Sequence, residues 1–221
     1  MTTNALVCGA NGRIGRMLQL AWARRPGVLW QARDGRPGQW LRWDILSEPW
    51  PGARLPGGVL FGLAGVVRGD AEALAQNTTL ALAMCEAALH AGARHVFLAS
   101  SGAVYGAGRP DGLPVAEDAT LTPLVPYGRA KAAMETAVLN WQARQGPGAP
   151  GLTLLRIGNV LGADALFGAA TAGRPVVLDP APGSDAGPRR AYIGPGRLAA
   201  VLAEIEHFDL TDLTKEPMLG V

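Results

Sequence analysis

The sequence predicts an α/β fold: a doubly wound, parallel sheet with helices on both faces and a reduced C-terminal appendage. Three observations predict it. Short apolar runs that read as buried strands alternate with longer segments whose apolar residues recur at helical spacing. A glycine-rich turn joins the first strand to the first helix. The 30 glycines and 17 prolines fall between these segments rather than forming low-complexity tracts.

Taken in order, Asn4 to Cys8 reads as a short buried strand. Arg13 to Arg24 follows as a helix, with Ile14, Met17, Leu18 and Ala21 on one face, and Pro26-Gly27 ends it. Val28 to Ala32 is the second strand, Gly35-Arg36-Pro37-Gly38 a turn, and Leu41 to Trp43 a short third strand ending at Asp44. Ser47 to Gly58 is rich in proline and glycine, so the crossover helix that a doubly wound fold places there is expected to be abbreviated. Val59 to Ala64 is a buried strand, and Ala71 to Ala91 is the longest helical pattern, stopped by Gly92. His95 to Ala99 is a strand leading into Ser100-Ser101-Gly102-Ala103-Val104-Tyr105-Gly106. Residues 107–126 form a proline-bearing loop, Tyr127 to Gln145 a helix, and Leu152 to Ile157 a strand. Past Gly162 the pattern weakens to a short helix near 163–171, a strand-like Pro175 to Leu178, a loop, and a helix from Arg197 to Glu206.

With 221 residues and 48% of them apolar, the chain is long enough for one domain, residues 1–221, in which about 162–221 would be the substrate-binding part. No run reaches the ~18 apolar residues of a membrane span, and Met1-Thr2-Thr3-Asn4 carries no basic n-region of a secretory signal. A soluble, cytoplasmic protein without a membrane partner is the expectation. Net charge of +2 with scattered arginine pairs makes no nucleic-acid footprint. Cys8 and Cys85 lie in apolar segments as reduced thiols, and no Cys/His cluster at ligand spacing points to a metal. His90, His95 and His207 show no partner spacing and read as surface or cap residues.

The loop Gly9-Ala10-Asn11-Gly12-Arg13-Ile14-Gly15 stands between a strand and a helix, the context of a Rossmann-type dinucleotide site. The first glycine permits the tight turn, the second lets backbone approach a pyrophosphate, and the third packs helix on sheet. The helix N-terminus adds N–H groups and a positive dipole end. Choice of cofactor rests on the end of the second strand, where Arg33-Asp34 offers both an arginine for the 2′-phosphate of NADP and an acid for the ribose of NAD. With the strand ending at Ala32, Arg33 comes first, so NADP is preferred over NAD. Asp44 would accept a bond from the adenine amino group, or else serve as a local cap.

Ser101 follows a strand at its C-terminal end, where open α/β sheets place ligands. Tyr127 and Lys131 lie four apart on one helix and share a face. A phenol is a poor base at neutral pH, but a nearby ammonium and an oxidised nicotinamide favour its phenolate. Tyr127 would thus remove a hydroxyl proton as hydride leaves the same carbon, Lys131 would also hold the nicotinamide ribose, and Ser101 would bond the substrate oxygen.

With these residues the chain resembles the extended short-chain dehydrogenase/reductases, the NAD-dependent epimerase/dehydratase group. The resemblance is carried by Gly9-x-x-Gly12-x-x-Gly15, Leu63-Ala64-Gly65, Asn77, Ser100 to Gly106, Tyr127-Gly128-Arg129-Ala130-Lys131 and Arg156-Ile157-Gly158-Asn159-Val160-Leu161-Gly162, in the family's order. It implies that Ser101, Tyr127 and Lys131 are catalytic, that Asn77 supports the active-site helix and its proton path, and that Leu63, Ala64 and Gly65 line the cofactor cleft beside Gly9, Asn11, Gly12, Arg13, Ile14 and Gly15. Asn159 and Arg190 fall where the family contacts substrate, with Gly102 beside Ser101. There are departures: Gly62 stands in place of the usual histidine, Gly194-Pro195-Gly196-Arg197 replaces a segment bearing an aspartate, and the chain stops at Val221, before the tail that builds the family's substrate lid.

Two functions follow. One is an NAD(P)-dependent oxidoreductase or epimerase acting at a carbinol or carbonyl carbon of a sugar-like or small carbonyl substrate. Dehydration ranks lower, because Gly102 and Ala103 stand where an added acid/base pair is needed. The other is a non-catalytic dinucleotide-binding module that senses redox ratio or docks on a partner. A homodimer through the helices at 71–91 and 127–145 is a further expectation from the resemblance.

Overall fold

A computed structural model describes residues 3–109, 113–164, 190–206 and 218–220. Strands β1 (Ala5–Cys8), β2 (Val28–Ala32), β3 (Trp40–Arg42), β4 (Val59–Gly62), β5 (His95–Ser101), β6 (Gly151–Ile157) and β9 (Met218–Gly220) form one sheet in the order β3-β2-β1-β4-β5-β6-β9. Every pairing in it is parallel. A separate parallel ribbon joins β7 (Asn159–Val160) to β8 (Tyr192–Ile193). Helices α1 (Arg13–Ala21), α2 (Ala71–Ala91), α3 (Pro126–Ala143) and α4 (Pro195–Ile205) complete the fold, with a 3₁₀ turn at Gly102–Tyr105.

Alternation along the strands divides the core between the two faces of the sheet. Leu6, Cys8, Leu60, Val96 and Leu98 pack beneath α2 and α3 with Met84, Cys85, Met134 and Val138. Ala5, Val7, Val59, Phe61 and Phe97 point the other way, against Leu18, Trp22, Leu198 and Leu202 of the α1–α4 face. Strands buried on both sides explain why the runs are continuously apolar rather than alternating with polar residues.

The helix limits have local causes. Helix α1 stops at Ala21, three residues before the expected Arg24, and the buried Trp22 turns into the core, its indole donating to the Ala199 carbonyl at 3.2 Å. Asp70 caps α2 by accepting from the Ala73 N–H at 2.8 Å, and Gly92 ends it at φ 76°. Pro126 occupies the first turn of α3, where its missing N–H costs nothing.

Between β3 and β4 no helix forms. Residues 43–58 instead lie as a loop on the α2 face, with Trp43, Ile45 and Leu55 buried there. Leu55 N–H bonds the Ala91 carbonyl and Gly57 N–H bonds that of Gly92. The crossover is abbreviated as the proline and glycine content predicts. His95, read from the sequence as a surface or cap residue, is instead 2% exposed within β5 and shares a 2.8 Å hydrogen bond with Thr153. The helix near 163–171 and the strand at Pro175 to Leu178 fall almost wholly outside the described residues.

Candidate active site

The glycine loop, the end of β2, the start of the 43–58 loop and the turn after β4 surround a cleft of about 440 Å³ at the C-terminal edge of the sheet. Gly9, Asn11, Gly12, Arg33, Asp44, Leu63, Ala64 and Gly65 all line it, so most of the expected cofactor residues converge. Gly9 sits at φ 83°, and a Cβ there would lie 2.5 Å from the Ala64 nitrogen. At Gly15 a Cβ would meet the carbonyls of Ala10 and Gly9 at 2.5 Å each. These contacts press β1, α1 and the β4 turn into a cradle that any larger residue would fill. No side chain caps the N-terminus of α1 and its first turn holds no acid, which leaves its N–H groups to an anion. The loop therefore fits a dinucleotide diphosphate.

Arg13 and Ile14 offer that cradle only their backbone. The Arg13 side chain donates to the Ala163 carbonyl at 2.9 Å, and Ile14 packs on the α1–α4 core. Asp44 acts as a local cap, accepting from the Leu46 N–H at 3.2 Å while lining the cleft. At the end of β2, Asp34 accepts from the Asn11 amide at 2.7 Å and pairs with Arg36 at 3.4 Å. Its own backbone N–H, then Arg36 and Asn11, hold its carboxyl below the usual range. The buried Gln31, which the sequence reading passed over, accepts from the Gly9 N–H at 2.8 Å and donates to the Trp43 carbonyl at 2.5 Å. It ties the glycine loop to the end of β3.

On the other side of β4, β5 delivers Ser101 and α3 delivers Tyr127 and Lys131. The Ser101 hydroxyl lies near the Tyr127 phenol, where it favours the phenolate, and its Oγ accepts from the Ala103 N–H at 3.2 Å. Burial outweighs the effect of Ser101 and pushes the phenol up, so Tyr127 rests protonated. Lys131 is 4% exposed and donates to the Ala99 carbonyl at 2.9 Å. Burial pushes its ammonium down to about 8, against an opposing pull from Glu135.

Asn77 is fully engaged: it accepts from the Val66 N–H at 3.1 Å and donates to the carbonyls of Val66 and Leu74 at 2.8 and 2.9 Å. Its amide clips the β4 turn to α2. A Cβ on Gly65 would lie 3.0 Å from the Asn77 Oδ1 and 3.4 Å from the Lys131 Nζ, so backbone passes directly beside the lysine. Asn159 donates to the Ala191 carbonyl at 3.1 Å and holds the β7–β8 ribbon, next to the exposed Arg190. Gly102 opens the 3₁₀ turn after Ser101.

A buried polar cluster under the site was not anticipated. Glu135 and Arg156, 2% and 4% exposed, pair at 2.8 Å, and Ser100 donates to the same carboxylate. Two signals marked it in the sequence: an acid on the Lys131 face of α3, and an arginine within an apolar strand.

Among the described residues no helix is long and apolar enough to cross a membrane. A family model described as the NAD dependent epimerase/dehydratase family matches residues 61–173. A UDP-glucose 4-epimerase of Azospirillum brasilense is 40% identical over 88 residues, which are 40% of this chain and only 24% of that relative. Among solved structures, a UDP-glucose-4-epimerase from Stenotrophomonas maltophila with bound NAD and formylated UDP-arabinopyranose superposes with a TM-score of 0.76 at 22% identity, over 99% of this chain and 77% of that one. MoeE5 in complex with UDP-glucose and NAD gives 0.74 at 25% identity, over 99% and 75%. TunA, an NAD dependent NDP-hexosamine 5,6-dehydratase of tunicamycin biosynthesis, gives 0.74 at 20%, over 98% and 74%.

Proposed function

The chain belongs to the NAD dependent epimerase/dehydratase family, and from that premise we propose an NAD(P)-dependent oxidoreductase or epimerase that moves a proton through Tyr127 at a carbinol or carbonyl carbon of a sugar-like substrate. The observation that supports this reading is that Ser101 at the end of β5 lies near the Tyr127 phenol, while Lys131, four residues along the same helix, comes beside Gly65 of the glycine-loop cleft. The relatives named for UDP-sugars support a sugar nucleotide as the substrate class.

When bound, the nicotinamide supplies the carbon that takes or returns a hydride, and its oxidised form carries a positive charge. The chain's own groups do the rest. Tyr127 holds a proton on its Oη at rest and gives or receives it at the substrate oxygen. Ser101, near that phenol, orients the oxygen between them. Lys131 places a positive charge one helical turn away, anchored by the Ala99 carbonyl, where it favours the phenolate as the proton departs. Asn77 is a positioning residue, since its amide fixes the β4 turn that passes beside Lys131.

The dinucleotide is decided at two adjacent residues. Arg33, exposed at the cleft, would suit a 2′-phosphate. Asp34, held ionised, would repel one and bond ribose hydroxyls instead. The family's dependence on NAD and the NAD carried by the compared structures weigh towards Asp34 and NAD. The preference for NADP read from Arg33 draws no support from them.

The experiment is Tyr127→Phe, assayed for NADH binding by nicotinamide fluorescence and for interconversion of UDP-glucose and UDP-galactose. Retained binding with turnover reduced by about 10²-fold or more is expected. Undiminished turnover would remove Tyr127 from the chemistry, and failure of the wild type to bind NADH or NADPH would refute the reading altogether.

A further inference from the structure

We propose that Glu135 is a positioning residue of this site: through Arg156 and Ser100 it fixes α3 against β5 and the 3₁₀ turn, and it supplies the carboxylate that opposes the buried Lys131 ammonium. The proposal rests on the functional reading above for its purpose, and on the following geometry for its substance.

A buried ion pair seldom adds net stability over apolar residues of the same volume, so its presence asks for another reason. Here both oxygens of Glu135 are engaged by Arg156, Oε2 by Nη2 at 2.8 Å and Oε1 by Nε at 3.1 Å. Ser100 donates to Oε1 as well. The remaining arm of Arg156, Nη1, donates to the Tyr105 hydroxyl at 2.7 Å and to the Glu117 carbonyl at 2.6 Å. The guanidinium also lies 4.9 Å from the Tyr105 ring centroid. One carboxylate and one guanidinium thus join α3, β5, β6, the 3₁₀ turn and the loop that leads into α3. Ser100 immediately precedes Ser101, and Glu135 lies four residues beyond Lys131 on the same helix. The two hydroxyls that must meet, those of Ser101 and Tyr127, therefore arrive on elements gripped by the same carboxylate.

The second role follows from what surrounds Lys131. On its own helix are Tyr127, Met134 with its sulfur 3.7 Å from Nζ, and Glu135. From β5 comes the neutral Ala99 carbonyl, from the β4 turn the backbone of Gly65, and from α2 the neutral Asn77 amide. On β6 the charge is Arg156, a cation already bonded to Glu135. Glu135 is the carboxylate whose field works against the burial of the ammonium. Without it, the lysine would lose its charge at a lower pH, and with that charge its pull on the Tyr127 proton.

The sequence makes the test direct. It contains two lysines, Lys131 and Lys215. Protein labelled with ε-¹³C-lysine gives two resonances, which Lys215→Arg assigns. In the wild type the Lys131 signal is expected to titrate near 8. Glu135→Gln should move it down by about one pH unit or more. Glu135→Asp disturbs the packing but keeps the charge, so it should leave the midpoint within a few tenths of the wild type; an equal fall in both variants would mean lost packing and overturn the proposal. Because Glu135→Gln strands the Arg156 charge and can fail to fold, the double variant E135Q/R156M, with both charges removed, carries the same expectation. An unmoved Lys131 midpoint in either overturns the proposal. NADH and NADPH titrations of the wild type test the functional reading separately. No binding there, with the Lys131 signal still moved by E135Q, would refute the function and sustain the role of Glu135.

Discussion

Replacing Lys131 with methionine is expected to stabilise the fold at neutral pH while abolishing the proposed chemistry. Lys131 is 4% exposed, and burial lowers its ammonium from 10.5 to about 8. At about 1.4 kcal/mol per pH unit, that fall corresponds to roughly 3 kcal/mol of unfavourable charge burial. Methionine fills much of the volume without a charge, but removes the donor to the Ala99 carbonyl, a loss of about 1 kcal/mol. A net gain on the order of 1–2 kcal/mol remains, the usual sign of a site held for function against stability. Urea unfolding at neutral pH, without cofactor, measures it. The pH dependence supplies an independent check. Between about 8 and 10.5 the unfolded lysine is protonated and the folded one is not. The unfolded chain then binds more protons, so wild-type stability rises relative to the variant across that window and is lowest, relative to it, below about 8. The advantage of the variant should therefore shrink as pH climbs. Cys8 and Cys85, both pushed up by burial, favour unfolding above their ordinary value of 9.0, but they do so in both proteins and cancel in the difference. A Lys131→Met protein less stable than wild type at neutral pH, or an advantage that stays flat to alkaline pH, would refute the reasoning.

His95 sets a dependence of the same sign at the acid end. Burial, then the neighbouring Arg94 charge, lowers its imidazole from 6.5 to about 4. Its contribution is complete above 6.5 and lost as pH falls towards 4, about 3 kcal/mol in all. His95→Phe should flatten the acid limb of the urea midpoint, and an unchanged limb would exclude His95 as its cause. Gly15→Ala places a Cβ 2.5 Å from two backbone carbonyls that have no room to withdraw. It should cost at least about 1–3 kcal/mol of stability and weaken NADH binding, both read from one thermal-unfolding series with and without NADH. At the ribose end, Asp34→Ala should weaken NADH binding and spare NADPH, whereas Arg33→Ala should affect NADPH alone. Tighter binding of NADPH than of NADH by the wild type in fluorescence titrations would return the preference to NADP.

The sheet was legible because its signals are local and repeated. The apolar runs at Ala5–Cys8, Val59–Gly62 and His95–Ser101 carry no polar alternation, as strands covered on both faces must. The glycine loop was legible because steric exclusion leaves its mark as residue identity. Ser101, Tyr127 and Lys131 were legible because two of them share a helix face and the third ends a strand. What stayed hidden depends on long-range satisfaction of polar groups. Gln31 looks like any strand glutamine until the Gly9 N–H and the Trp43 carbonyl are placed on either side of it. Glu135 and Arg156 are separated by 21 residues and meet only because β5 and β6 are neighbours under α3. His95 was misread for the same reason, since Thr153, its partner, lies on the adjacent strand.

Strand β5 runs from one end of the sheet to the other, and its two ends answer to different conditions. At its first residue a neutral imidazole must stay uncharged, which makes acid the enemy of the fold. Six residues later it ends at Ser101, just past the Ala99 carbonyl that grips an ammonium which must stay charged, which makes alkali the enemy of the proposed chemistry. The span between about 4 and about 8 is thus written along a single strand. Substitutions near its beginning should widen or narrow that span from below, and those near its end from above, each without disturbing the other.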